Sequence, residues 1–309
     1  MPSSMISVVV PVYNSENSLV SLYERTERVF AALNRPYELL LVEDCGQDDS
    51  WEVMLRLKRE HKQVRIARLS RNFGQHNALL CGFSMARGEL IVTMDDDLQN
   101  PPEEIPKLIT AIEERDVDVV HGIAQQRQHS WIKNIGSSVY HRFLSWQYKG
   151  LPDAPLSNFR IARRKVIEDI CQFRSPNPAV GLLLLNVTRS MASIPVEHHP
   201  RQYGRSTYSL SALIRFFFNG IIYNTDLPLK AVFCLGLSSL FLSMVLGGFY
   251  LCRYLLGYVD VSGWTTLVLV LLFFSGIGMF SLGLVGEYLT RILQEVNGVP
   301  QYIVRDKEE

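Results

Sequence analysis

The sequence has no surplus of charge of either sign: its 309 residues include 31 Lys and Arg against 31 Asp and Glu. With 47% hydrophobic residues it falls outside the composition of disordered chains, and it lacks the basic excess of a nucleic-acid binder. Cysteine is sparse. Cys45, Cys81, Cys171, Cys234 and Cys252 form no Cys-x-x-Cys pair and are odd in number, which argues against a disulfide framework or a zinc site and fits a reducing cytosol. The stretch from Met1 to Asn14 has no basic n-region, and its apolar run is too short and too β-branched for a signal peptide, so the N-terminal part is expected to stay where it is made. Internal repeats and low-complexity tracts are missing as well. Charge is also absent locally: the 22 residues between Lys230 and Arg253 carry none, nor do the 26 between Asp260 and Glu287. Uncharged runs of that length argue for two membrane spans, approximately 231–252 and 261–286, over the competing reading of two buried core helices.

What remains has the pattern of an ordinary soluble domain. Ile6 to Val12 is a β-branched apolar run, and Ser15 to Leu33 then shows helical spacing through Leu19, Leu22, Val29 and Phe30. The cycle repeats, with strands predicted over Tyr37 to Val42, Val64 to Leu69 and Leu90 to Met94, and helices over Ser50 to Glu60 and Gln75 to Ala86. A helix from Pro101 to Ile112, a strand at Val117 to Val120, a segment from Asn158 to Ala162 of unassigned type and a helix from Arg164 to Phe173 follow; Val180 to Val187 is an apolar stretch, also of unassigned type. Alternating strands and helices imply an α/β fold with a doubly wound, mainly parallel sheet, because parallel neighbours need crossover connections. Ligands of such sheets bind beyond the carboxyl ends of the strands, where Asn14, Asp44, Arg71 and Asp95-Asp96-Asp97 fall.

Domain boundaries follow from these patterns: a catalytic head over 1–208, an amphipathic interfacial helix within 209–226, a two-helix transmembrane hairpin within 227–290, and a tail over 291–309. The interfacial helix places Leu213, Phe216, Phe217 and Ile221 on one side. Basic residues flank the hairpin at Arg205, Arg215, Lys230, Arg291, Arg305 and Lys307, against Arg253 alone in the link, so head and tail are expected on the cytoplasmic side of a multi-pass protein. Gly247-Gly248, Gly276, Gly278 and Gly283 permit close helix packing, within the chain or in a homo-oligomer.

Met94-Asp95-Asp96-Asp97-Leu98-Gln99 ends the fourth strand. Alternate carboxylates at that position suit a hard divalent cation, Mg2+ or Mn2+, shared with diphosphate oxygens; the competing reading is a solvated turn. Four motifs, Pro11-Val12-Tyr13-Asn14, Glu43-Asp44, Arg71-Asn72-Phe73-Gly74 and Asp95 to Gln99, occur in the order of family 2 glycosyltransferases of the GT-A (Rossmann-like) fold. With the C-terminal hairpin, the whole chain resembles the polyprenyl-phosphate glycosyltransferases of that family. Arg71 to His76, Asp97 to Pro106 and Arg127 to Trp131 are most similar to the members that transfer 4-deoxy-4-formamido-L-arabinose; bactoprenol glucosyltransferases and dolichyl-phosphate mannose synthases are further relatives.

The resemblance implies transfer of a sugar from a UDP-sugar to undecaprenyl phosphate at the inner membrane of a bacterium, with inversion. It implies that Pro11, Tyr13, Asn14, Asp44 and Arg71 contact the nucleotide, that Asp95 lies near ribose or sugar with Asp96 in the variable middle position, and that Asp97 and Gln99 hold the metal. Arg201 and Ser206, in Arg201-Gln202-Tyr203-Gly204-Arg205-Ser206-Thr207-Tyr208, match an element that meets phosphate; Arg205 is placed to supply the charge lost where Thr207 replaces the family's Lys. Arg127 and Lys133 are candidates to close over the same anions. Ser157-Asn158-Phe159-Arg160 has Asn158 where the family has an acid, and Cys45 likewise departs from its pattern. An anionic phosphate acceptor needs no strong base, but it needs cations to align it, which makes Arg160 a candidate catalytic residue against a reading as half of a surface ion pair. His198 and His199, side by side, lack metal-ligand spacing and read as solvent-exposed. Two other functions compete: a polysaccharide synthase, against which stands the absence of a Gln-x-x-Arg-Trp motif and of further spans, and a scaffold retaining a decayed nucleotide fold, which need not bind UDP.

Overall fold

Ile6–Val12 (β1) is buried along its whole length, as expected of a strand covered on both faces. It belongs to a computed structural model that describes residues 4–124, 156–174, 178–199, 227–258, 263–298 and 300–308. Two units make up the chain, Met1–Arg205 with Pro300–Glu309, and Ser206–Val299.

In the first unit β1 is followed by Leu19–Leu33 (α1), Tyr37–Glu43 (β2), Ser50–Glu60 (α2), Val64–Leu69 (β3), Gln75–Met85 (α3) and Leu90–Thr93 (β4). A 3-10 turn, Pro102–Glu104, leads into Ile105–Arg115 (α4), then Val119–Ala124 (β5), Arg160–Arg163 (β6), Arg164–Cys171 (α5), Val180–Val187 (α6), Met191–Val196 (β7) and, at the far end of the chain, Val304–Glu308 (β8). The strands form one sheet in the order β7-β5-β6-β4-β1-β2-β3-β8. β1 pairs in parallel with β2 and β4, β2 with β3, and β5 with β7; β6 and β8 run antiparallel to their neighbours. The sheet is therefore mostly parallel, and the carboxyl ends of β1 to β4 share one edge.

Alternation along β1 divides the core. Val8, Val10 and Val12 pack with Leu22, Phe30, Met54 and Leu108 under α1, α2 and α4, whereas Val9 faces Leu79, Phe83 and Ile167 from α3 and α5. Helix α1 starts at Leu19 rather than Ser15, because Ser15 takes part in a turn: its N–H donates to Ser50 Oγ and its C=O accepts from Ser18 N–H. It ends at Asn34, in the left-handed region at φ 50°. The segment from Asn158 to Ala162 contributes to β6, which starts at Arg160; before it the Asn158 C=O accepts from the Thr93 hydroxyl at 2.6 Å. The stretch from Val180 to Val187 is a helix, and β7 and β8 have no counterpart in the sequence reading.

The second unit contains the helices Leu227–Leu255 (α7) and Trp264–Val296 (α8). Their segments Leu229–Phe249 and Phe273–Thr290 have mean hydropathies of 2.0 and 1.2 and are not buried among the described residues, which favours membrane spans over soluble core helices. α8 continues beyond the uncharged run to Val296 and is followed by Asn297 and a left-handed Gly298. The proposed interfacial helix in 209–226 and the insertion 125–155 lie outside the described residues.

Candidate active site

Three loops at the carboxyl edge of the sheet carry the candidate residues, and hydrogen bonds join them. Asp44, just past β2, is 3% exposed and accepts the N–H groups of Phe73 (2.7 Å) and Gly74 (2.8 Å), one on each carboxylate oxygen. It thus fixes the Arg71 to Gly74 loop, and each oxygen retains a lone pair for a ligand. Burial raises its pKa, and the two amides oppose the shift. Gly74 adopts φ 90°, open to glycine with little strain, and the Arg71 guanidinium lies 4.6 Å above the Phe73 ring. Asn14 is left-handed at φ 53°, and its side-chain oxygen accepts from Gln47 N–H at 2.7 Å. A Cβ on Gly46 would stand 2.7 Å from that oxygen, so a larger residue there would have to displace the Asn14 side chain.

Pro11 is buried within β1, and Tyr13 beyond it is exposed. Asp96 accepts the Tyr13 N–H at 3.0 Å and the Ser15 hydroxyl. The middle aspartate therefore ties the loop after β4 to the loop after β1, a structural role that the sequence reading did not give it. Asp95 accepts from Gln75 Nε2 at 2.6 Å, and Asp97 accepts from Gln99 N–H at 3.1 Å. Burial, then the charges of Asp97 and Asp96, push the Asp95 carboxyl up to about 6, with Arg160 opposing.

Arg160 lies beneath this cluster. It is 2% exposed, its Nε donates to Thr93 Oγ1 at 3.2 Å, and one terminal nitrogen has no partner among the described residues. Burial lowers its pKa to about 10, and Asp95 acts in the opposite direction. These observations remove the surface-pair reading. Thr93, Arg160 and His121 are register partners across β4, β6 and β5, so their side chains share a face. Burial and the Arg160 charge hold His121 down at about 3 and His76 at about 4; both are neutral at neutral pH. Sequence reading missed His76, His121, Gln75 and Thr93; their only signal was a polar residue at a strand end or first helical turn.

Crowded carboxylates suit a hard cation. Among the described residues no three His, Cys, Asp or Glu side chains converge on one metal position. Asp97 with Gln99 fits the kind of site in which one or two carboxylates share the ion with substrate phosphates, and the mutual repulsion seen at Asp95 is what a cation would relieve. Arg127, Lys133, Arg201, Arg205 and Ser206 lie outside the described residues. The chain before Arg201 is described as far as His199: His198 is exposed and the His199 side chain 45% so, as expected, and both residues are also bonded to the loop after β4, through His199 N–H to Gln99 O (2.8 Å) and between His198 Nδ1 and Asn100 Oδ1 (3.2 Å).

Residues 7–171 match the family described as Glycosyl transferase family 2. The chain is 35% identical over 314 aligned positions to the undecaprenyl-phosphate 4-deoxy-4-formamido-L-arabinose transferase of Serratia proteamaculans (strain 568), covering 98% of this chain and 94% of that protein. Among solved structures it resembles glucosyl-3-phosphoglycerate synthase from Mycobacterium tuberculosis in complexes with Mn2+, UDP-glucose and phosphoglyceric acid. The TM-scores are 0.51 and 0.50 at 16% identity; the matches cover 68% and 65% of this chain and 74% and 73% of that one. At that identity the likeness concerns the fold alone.

Proposed function

Because the chain belongs to glycosyl transferase family 2 and is a glycosyltransferase, we propose that it moves a sugar from a UDP-sugar to undecaprenyl phosphate at the cytoplasmic face of a bacterial inner membrane. The sugar in this reading is 4-deoxy-4-formamido-L-arabinose, supported by near full-length similarity to the Serratia transferase. One observation carries the donor half: an aspartate that fixes the β3 loop and a carboxylate cluster after β4 meet at one sheet edge. Pro11, Tyr13, Asn14, Asp44, Arg71 and Asp96 belong to the nucleotide side, and Asp95 to the sugar side.

A phosphate oxygen of the lipid attacks the anomeric carbon from the face opposite the diphosphate. The new C–O bond forms as the bond to the UDP oxygen breaks, UDP leaves with the electron pair, and the configuration inverts. The nucleophile is already anionic, so Asn158 in place of an acid is compatible with the reaction. Asp97 and Gln99 would hold Mg2+ or Mn2+, whose charge stabilises a leaving diphosphate. Arg160 balances the charge of Asp95 from below, while the neutral imidazoles of His76 and His121 add no competing positive charge. Acceptor phosphate falls to Arg201, Arg205 and Ser206, with Arg127 and Lys133.

Two apolar helices support membrane attachment. A multi-pass arrangement belongs to the same proposal; what β8 adds is that the chain leaves the first unit after Arg205, re-enters it at Pro300 and pairs with β3, so that the flanks of α7 and α8 would share one side. Titration calorimetry of the full chain in detergent with UDP tests the donor half. Binding that needs Mn2+ or Mg2+ is expected, whereas no UDP binding under any metal condition would overturn the reading and favour a scaffold.

A further inference from the structure

At the carboxyl end of β4 one row of the sheet is polar. Register aligns Val9 of β1 with Thr93 of β4, Arg160 of β6 and His121 of β5, and Val9 packs against α3 and α5, so the row faces those helices. Burial, then the Arg160 charge, lower the pKa of both His121 and His76, which places His76, on the first turn of α3, within reach of the same guanidinium. Three nitrogens of this group, His76 Nδ1, His121 Nε2 and a terminal one of Arg160, are buried and have no hydrogen-bond partner among the described residues. A buried polar atom is costly to leave unpaired, and here three are gathered beside the reacting edge. Their polarity is mixed. His121 Nδ1 lies 3.2 Å from the Ser157 C=O and 3.4 Å from the Ser157 N–H; the shorter contact requires a proton on Nδ1, which leaves Nε2 as an acceptor. The Arg160 nitrogen can only donate.

We propose that His76, His121 and Arg160 form the sugar subsite of the donor and bind a neutral polar substituent of the sugar ring, a hydroxyl or an amide. An acceptor and a donor in one group of side chains match the N–H or O–H and the oxygen of such a substituent. Charge selects against the alternatives. A second anion would meet Asp95 and a protonated amine would meet Arg160, whose opposite charges already act on each other. Gln75, His76 and Asp95 are half-buried and form the mouth, while Thr93, His121 and Arg160 lie buried below. This inference rests on the reading of Asp95 as the sugar-side carboxylate and extends it to the side chains beneath.

Substitutions at His76 and His121 separate the unpaired nitrogen from the bulk of the ring. H76F keeps a ring without nitrogens, whereas H76N keeps a polar atom at the Nδ1 position; H121N keeps the Nδ1 position and loses Nε2. Titration calorimetry of the full chain in detergent with Mn2+ compares two ligands, UDP and UDP-4-deoxy-4-formamido-L-arabinose. In H76F and in H121N the Kd for the UDP-sugar is expected to rise about tenfold, the scale of one lost hydrogen bond, with the UDP Kd within about twofold of the parent. H76N should recover most of the loss, to within about threefold of the parent. An unchanged UDP-sugar Kd in both H76F and H121N would overturn the proposal. So would an equal weakening of UDP, which describes general loosening, or a raised KM for undecaprenyl phosphate at unchanged UDP-sugar Kd, which would assign these nitrogens to the acceptor. If one variant does not fold, as shown by lost UDP binding and a lowered Tm, the other decides by the same criterion. A parent protein that binds UDP but not the UDP-sugar would refute the sugar assignment and the subsite with it, whereas one that does not bind UDP at all would refute the donor reading itself.

Discussion

Asp44 does two things with one carboxylate, and the consequences are measurable. Replacing it by Ala leaves the Phe73 and Gly74 amides without their buried acceptor, so UDP affinity should fall by about tenfold or more and the Tm should drop with it; calorimetry and thermal unfolding check this. Asp97→Ala should behave differently. Transfer is expected to fall by about 100-fold or more at nearly unchanged Tm, with metal-dependent UDP binding lost; full transfer by a folded variant would discard the metal assignment. A third prediction concerns pH. His121 is fully buried with its folded pKa depressed to about 3, below an unfolded value of about 6.5, so its contribution to stability is complete above pH 6.5 and is lost as pH falls toward 3. Asp95, raised to about 6, acts in the opposite sense, taking up a proton in the folded state. Comparison of variants isolates the imidazole: between pH 7 and pH 5, His121→Gln should lose about 2 kcal/mol less stability than the parent in denaturant titrations. The aspartates were legible in the sequence because a strand end is a strong positional cue. His121, His76 and the part played by Asp96 were not, since they depend on which strands become neighbours: Asp96 meets Tyr13 and Ser15 across β4 and β1, and His121 meets Arg160 only through the β5-β6 register.

At the scale of elements, sequence reading recovered α1 to α5 and the parallel strands β1 to β4, because burial of a face or of a whole strand leaves a pattern in the apolar residues, whereas the Val180–Val187 helix is too uniformly apolar to show a period. β7 contains Pro195, a residue that argues against a strand in the sequence although the register runs through it, and β8 reads Val-Arg-Asp-Lys-Glu, a polar segment with no apolar period. Its strand form comes from pairing with β3, together with Ser70 N–H donating to Ile303 O at 2.9 Å and the Tyr302 hydroxyl 3.1 Å from Ser84 Oγ. Without β8, β3 would become the sheet margin and present an unpaired backbone edge beside the Asp44-bound loop. Removal of residues 301–309 is therefore expected to lower the Tm and promote association, read by thermal unfolding and light scattering. A truncated protein as stable and dispersed as the parent would show that the edge needs no cover.

The whole molecule joins a sheet built like that of a soluble enzyme to two helices that bury none of their apolar windows within the chain. Neutral net charge concealed this division: acidic groups gather at strand ends, whereas the charge-free runs lie in a separate unit. With β8 paired to β3, both ends of the hairpin are expected on the cytoplasmic side. Single cysteines introduced at Tyr258 and at Glu308 in a cysteine-free background should react with a membrane-impermeant maleimide from opposite sides of sealed vesicles; labelling from the same side would contradict two crossings. The proposed reaction is tested most directly by incubating the purified protein with undecaprenyl phosphate, Mn2+ and a panel of UDP-sugars, followed by mass spectrometry of the lipid. A new undecaprenyl-phosphate sugar is expected, formed with the UDP donor of 4-deoxy-4-formamido-L-arabinose and lost in Asp97→Ala. A protein that binds UDP yet leaves the lipid unmodified with every donor would contradict it.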